Sequence, residues 1–197
     1  MAERLSAEQT VSQLFALCRQ QAQADYIGEA ISQLEHMAQA GELAEQDGAD
    51  EELVLAAFLH DVGHFCAPLQ AHNRMDEHGR QGHEQVGAHW LASLGFPRRL
   101  CELVASHVDA KRYLCAREPG YFEGLSPASR QTLIWQGGPM NAEEAGAFER
   151  SPLFDDALRL RRWDEAAKVV GKPLPALRRW EAMALRTLEK QSNSSII

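Results

Sequence analysis

The stretch Phe58 to Phe65, FLHDVGHF, limits what this chain can fold into more than any other part of it. An apolar run, Leu53 to Leu59, ends in His60 and Asp61, and His64 follows three residues after the aspartate. The run is apolar nearly all round, so as a helix it belongs at the centre of a helical body. Its end then carries imidazole and carboxylate into a dry interior, where unpartnered groups cost several kcal/mol. A fold that accepts this sequence must bring partners to those groups.

The rest of the chain reads as helices. Val11, Leu14, Phe15 and Cys18 fall at i, i+3, i+4 and i+7, one apolar stripe. The pattern predicts a second helix from about Gly28 to Gln46, broken by DGAD. Asp50 then caps a third, over Glu51 to about Asp61, and Gly63 lets the chain turn out. Residues 66–81 read as a long loop. Helices follow over Gly82–Leu94 and from Pro97 to about Val108, and residues 112–127 read as irregular. Further helices are expected over Ser129–Trp135, after the cap Asn141, over Leu153–Val170 and over Leu177–Lys190, with a frayed QSNSSII tail. No segment alternates at period two. The expectation is an all-α helical bundle, one domain over residues 1–197 with its core at about 12–170, around a buried dinuclear metal site.

Composition narrows the partners. A net charge of −8 argues against a general nucleic-acid binder, which needs a basic face, but leaves room for a small anion met by a local Lys/Arg cluster. The run Leu53–Leu59 is too short to span a bilayer, and MAERLSAEQT has no apolar signal core. Cys18, Cys66, Cys101 and Cys115 form no CxxC spacing, so reduced thiols in a cytoplasmic protein are expected.

The ionisable residues on apolar faces carry the chemistry. His36 shares a face with Ala40 and Leu43, His83 with Val86 and Trp90, His107 with Leu100 and Val104, and Asp164 with Leu160 and Ala167. Taken singly, each has an ordinary explanation as a hydrogen-bonded core group. Four imidazoles and two carboxylates, with His60 and Asp61 added, are reasonable together only if they neutralise something shared. Two cations would do so, and this donor set suits Fe, Mn or Zn. Asp61 has two oxygens and can bridge metals about 3.5–4 Å apart. His72 and His78 read as solvated loop residues and His89 as surface.

The order His36, His60-Asp61, Asp164 resembles the HD-domain superfamily, with His83 and His107 similar to the extra ligands of its dinuclear subset. YIGEAISQLEH, HVDAKRYLC, LSPASRQTLIWQGGPM and LRRWDEAAKV further resemble the PhnZ-type oxygenases of organophosphonate breakdown. That resemblance implies a mixed-valent pair of iron ions and O2 as co-substrate. It implies cleavage of the carbon–phosphorus bond of a small zwitterionic 1-hydroxyphosphonate, releasing inorganic phosphate. The metal ligands would be His36, His60, Asp61, His83, His107 and Asp164. Lys111 and His64 would serve at the reacting centre. Tyr26, Glu29, Ser126, Ser129, Gln136 and Arg161 would hold substrate, with Tyr26 and Glu29 meeting its cationic end. Arg161 is preferred to Arg162 because it lies closer to the Asp164 face of the helix.

The implied substrate carries a primary ammonium or a trimethylammonium, giving glycine or glycine betaine. Tyr26, Phe65, Tyr113, Tyr121 and Trp135 allow an aromatic cage for the latter. The alternative is a metal-dependent HD phosphohydrolase acting on a nucleotide or phosphate ester, activating water instead of O2. A non-catalytic helical module would be expected to lose ligands, and all six are present.

Overall fold

The computed structural model describes residues 5–26, 28–67, 75 and 80–194. Ten α-helices form within them: α1 (Ala7–Gln20), α2 (Gln33–Gln46), α3 (Glu51–Leu59), α4 (His83–Ser93), α5 (Arg98–Arg117), α6 (Tyr121–Gly124), α7 (Pro127–Trp135), α8 (Ala142–Glu149), α9 (Phe154–Ala166) and α10 (Arg178–Ser194). Two 3-10 turns, Gln21–Gln23 and Val62–His64, complete the set. Among the described residues there is no β-strand, only an isolated bridge between Asp25 and Ser32. The fold is all-α.

Local chemistry sets the helix starts. Ser6, Ser32 and Asn141 each accept the backbone N–H three residues on, while Gln9, Glu35 and Glu144 return a bond to the cap. Asp50 caps α3 and is gripped by both Arg99 amino groups at 2.8 and 2.9 Å; Arg99 also reaches Asp156 at 2.8 Å, joining α3, α5 and α9.

The apolar run does form the centre. Every residue from Leu53 to Leu59 is buried, and the Phe58 ring stacks on Phe15 and Trp180 with centroids 5.5 and 4.6 Å apart. Helices α2, α5, α9 and α10 surround it. Past α3 the chain turns tightly against α4. A Cβ on Gly63 would stand 1.8 Å from the His83 carbonyl oxygen, so only a hydrogen fits there.

Several boundaries differ from those the sequence predicts. Helix α2 starts at Gln33, because Ser32 takes the cap and Gly28 sits in a left-handed turn at φ 76°. Helix α3 ends at Leu59, with His60 and Asp61 leading into the 3-10 turn. Helix α5 runs to Arg117, not Val108, since the buried face continues through Lys111 and Leu114; a polar Lys111 hides that stripe. Residues 112–127 are therefore largely helical, in α5, α6 and the first residue of α7. Helix α9 stops at Ala166, short of Val170. The Gln39 side chain captures both the N–H and the C=O of Val169 at 2.9 Å, and the Ala167 carbonyl accepts from His36 at 3.0 Å. Those backbone groups are spent on α2 and cannot continue a helix. Helix α10 extends to Ser194, beyond Lys190. His72, His78 and the last three residues of the tail lie outside the described residues, and His89 is exposed.

No helix among the described residues is long and apolar enough to cross a membrane. All four cysteines are free, with Cys18 and Cys101 buried. Burial pushes the Cys18 thiol up to about 12. Iodoacetamide at neutral pH should therefore mark Cys66 and Cys115 and spare Cys18 until the chain unfolds, read by peptide mass spectrometry.

Candidate metal centre and substrate pocket

Two helical hairpins each bring a pair of histidines to the same interior space. In α2–α3, the Nε2 atoms of His36 and His60 stand 3.1 Å apart; in α4–α5, those of His83 and His107 stand 2.9 Å apart. The other ring nitrogen fixes each imidazole. His36, His60, His83 and His107 direct Nδ1 at the carbonyls of Ala167, Ala57, Arg80 and Val104, at 3.0, 2.8, 3.2 and 2.7 Å. A carbonyl only accepts, so Nδ1 carries the proton and Nε2 presents its lone pair to the interior, where it could serve as a ligand atom.

Two carboxylates close the cluster. Asp164 Oδ1 lies 3.3 Å from His36 Nε2 and 3.6 Å from His60 Nε2. Asp61 is shared. Its Oδ1 lies 3.3 and 3.7 Å from His83 and His107, and its Oδ2 lies 3.6 and 3.5 Å from His36 and His60. Two buried triads result, His36/His60/Asp164 and Asp61/His83/His107, each with ligand atoms within 4.8 Å of one another.

Each triad can hold a metal ion, and the chemistry fits one. Imidazole lone pairs at 3 Å separation need a shared cation, and the carboxylates demand positive charge. Burial disfavours the His60 imidazolium, yet Asp61 and Asp164 outweigh it and raise His60 to about 9. Burial likewise opposes ionised Asp164, but Arg161 and His60 hold its carboxyl well below the usual range. Four imidazole nitrogens with two carboxylates form a borderline donor set suited to first-row metals.

His64 is built the opposite way. Its Nδ1 accepts the Arg80 backbone N–H at 3.3 Å, so in the neutral ring Nε2 keeps the proton. Burial and the neighbouring His83, on which it stacks at 4.0 Å, pull its pKa down to about 3. It is a neutral donor beside the triads, with Nε2 3.9 Å from Asp61 Oδ1.

A pocket opens over the cluster, lined also by Tyr26, Glu29, Gln33, Lys111, Ser129, Thr132, Gln136, Arg161 and Lys168. Lys111 is buried and donates to Thr132 Oγ1 at 3.0 Å; burial, then Arg161, pull its ammonium down to about 7. Arg161 is buried where Arg162 is exposed, and it donates to Asp164 Oδ2 at 2.5 Å, Glu165 at 2.9 Å and the Tyr121 hydroxyl at 3.0 Å. Gln136 Oε1 is buried with no hydrogen-bond partner among the described residues. The Tyr26 ring lies flat on His36, centroids 3.9 Å apart. Ser126 stands off the wall: it caps α7 and receives Lys168 Nζ at 3.2 Å.

Sequence reasoning passed over three polar pocket residues. Gln33 donates to Asp61 Oδ2 at 3.2 Å, Thr132 holds Lys111, and Lys168 holds Glu29 at 2.6 Å. Helical spacing could have found them, since Gln33 precedes His36 by three and Thr132 follows Ser129 by three. Lys168 follows Asp164 by four. The aromatic cage does not form among the described residues: of the five aromatics only Tyr26 lines the pocket. Tyr113 packs with Phe148 and Phe154, and Tyr121 with Leu114 and Leu125.

An all-α body with a His/His-Asp/Asp cluster at its centre defines the class, and comparison with known proteins agrees. The HD domain matches residues 33–144, which carry five of the six cluster residues; Asp164 lies beyond. A hydroxymethylphosphonate dioxygenase of Gimesia maris is 41% identical over 187 residues, covering 91% of this chain and 88% of its own. A 1-hydroxy-2-(trimethylamino)ethylphosphonate dioxygenase (glycine-betaine-forming) of Leisingera caerulea is 40% identical over 166 residues, 84% of each chain. An uncharacterized protein of Acanthamoeba polyphaga mimivirus is 38% identical over 186 residues, 94% of this chain and 85% of that protein. The chain belongs to the HD-domain proteins. Within them it belongs to the family that includes these phosphonate dioxygenases.

Proposed function

We propose that this protein is an oxygenase that uses O2 to cleave the carbon–phosphorus bond of a small 1-hydroxyphosphonate, releasing inorganic phosphate. The observation that carries the reading is Asp61, with one oxygen toward each histidine pair, beneath a pocket that also presents Lys111 and Arg161. His36, His60 and Asp164 would hold one metal, His83 and His107 the other, and Asp61 both. A mixed-valent pair of iron ions would supply O2 binding and oxidation at C1.

The chain's own residues do the rest. Lys111, set by Thr132, neutralises the phosphonate by charge-assisted donation. Arg161 orients Asp164 and adds positive charge beside it. His64 Nε2–H donates to a substrate oxygen, and Gln136 Oε1 accepts from a substrate hydroxyl. Ser129 lines the same wall. Tyr26 and Glu29 bound the other end of the pocket, where a cationic tail would have to lie if the substrate carries one.

The test is O2 uptake with phosphate release by iron-loaded, partly reduced protein, offered 1-hydroxyphosphonates. One phosphate per O2 is the expected result. Intact iron with no O2 uptake, together with hydrolysis of nucleotides or phosphate esters, would move the protein to the HD phosphohydrolases.

Lys111 also gives a pH dependence. Its pKa is lowered to about 7, so its charge is present below that value and lost above it. Phosphonate affinity should therefore weaken as pH rises through about 7 relative to a Lys111→Arg protein, whose guanidinium stays charged. The ligand's own ionisation is common to both proteins and cancels in the comparison. Lys111→Met should raise KM by about a hundredfold while leaving metal content unchanged, since it removes a charged hydrogen bond and no ligand.

A further inference from the structure

Three of the four cluster histidines are steadied by their own helix. His60, His83 and His107 direct Nδ1 at a carbonyl three residues back, and those bonds form wherever the local backbone forms. His36 differs: its carbonyl partner, Ala167, lies 131 residues away, on the segment that follows α9. That segment has no apolar anchor of its own. No residue from Lys168 to Ala176 is buried, and Val169 and Val170 are 55% and 66% exposed. Polar groups of α2 hold it instead. The buried Gln39 amide pairs twice with one residue: Nε2 donates to the Val169 carbonyl and Oε1 accepts the Val169 N–H, both at 2.9 Å. A neighbouring β-strand would make the same exchange. Lys172 adds an ion pair with Glu42 at 2.8 Å further along.

We infer that Gln39 is a positioning residue: by pinning Val169 it keeps the Ala167 carbonyl on His36, and so sets the affinity of the His36/His60/Asp164 triad for its metal ion without touching the other triad. The geometry couples the two grips. His36 and Gln39 lie three apart on α2, on one face, and hold backbone groups two residues apart on the same segment. Peptide units are planar, so only φ and ψ of Lys168 separate the unit carrying the Ala167 carbonyl from the one carrying the Val169 N–H. With Val169 fixed, that carbonyl has little freedom to turn from His36. Without Gln39, the imidazole loses its fixed partner and can rotate its Nε2 lone pair out of the triad. The inference rests on the metal-holding part of the reading above and needs neither O2 nor phosphonate.

The test measures Co(II) binding to full-length, metal-free protein, without O2, by competition with a coloured chelator. Two backgrounds separate the triads. His83→Ala leaves the His36/His60/Asp164 triad whole, and His36→Ala leaves Asp61/His83/His107 whole. In the first, Gln39→Met should weaken Co(II) binding by about tenfold, the low end of the effect of losing a group that orients a ligand. In the second it should change the affinity by less than about twofold, because sites with no shared partner are independent. Methionine keeps the length of the glutamine stem and makes neither bond, and melting of the metal-free variants checks that they fold. Equal weakening in both backgrounds gives Gln39 a general structural role and overturns the inference, as does no weakening in the first. Should a background fail to fold, the two Co(II) binding steps of Gln39→Met alone carry the same contrast: one step weakened supports the inference, and both or neither overturns it. Co(II) binding as expected, with no O2 uptake by the iron-loaded protein, overturns the oxygenase reading alone. No Co(II) binding by wild type overturns both.

Discussion

Asp61→Asn protein carries less than about one metal per chain and loses O2-dependent phosphate release by on the order of a thousandfold or more. The size follows from position. Changes to groups that merely orient ligands cost about 10–100-fold in affinity or activity. Asp61 has Oδ1 3.3 Å from His83 Nε2 and Oδ2 3.5 Å from His60 Nε2, so its loss is felt at both triads. An amide keeps the shape but has one acceptor oxygen, no charge, and an NH2 that would donate to imidazole lone pairs. The variant should thus melt no lower than wild type when both are stripped of metal, while failing to gain stability on adding iron. Metal analysis and melting curves with and without iron check the two halves. Two bound metals per chain in Asp61→Asn would remove Asp61 from the bridging role.

The second large effect is at Gly63. A methyl there would stand 1.8 Å from the His83 carbonyl oxygen, 2.7 Å from its carbon and 2.8 Å from the Gly87 nitrogen. These are backbone atoms of α4, which no side-chain rotation can clear. Overpacking of this kind costs about 1–3 kcal/mol, and more where the backbone must shift. Gly63→Ala should therefore lower Tm by several degrees. Because the displaced segment carries His83, the Asp61/His83/His107 triad should lose its metal before the His36/His60/Asp164 triad. Metal content near one per chain in the folded variant, against about two expected for wild type, is the reading that checks this. Wild-type stability and metal content would show that α4 yields freely.

The residues that gather in the centre were readable because each departs from its local pattern. A histidine or aspartate on an apolar helical face is visible in one dimension, and His36, His60, Asp61, His83, His107 and Asp164 all are. Asp50, Asn141 and the central helix were legible for the same reason, as caps and periodicity are local. What escaped was set by contacts distant in sequence. Helix α9 ends early because Gln39 and His36, on another helix, take its backbone groups. The α5 stripe runs on through Lys111, a charged residue that is buried only because the pocket wall supplies Thr132. Glu29 is a similar case. The family resemblance implies a carboxylate at the cationic end of a substrate, and only the fold shows Lys168 donating to it at 2.6 Å.

The division of the centre between two hairpins has a consequence for how the protein is made. Within each hairpin the paired histidines are 24 residues apart, so each pair closes locally. The triad of Asp61, His83 and His107 is complete once α5 has emerged from the ribosome. The other triad waits for Asp164, on α9, which is synthesised after α5. A nascent chain thus owns one metal position before it owns the second. Docking of α9, sealed where Ala167 and Val169 meet α2, is therefore the step that completes the second triad.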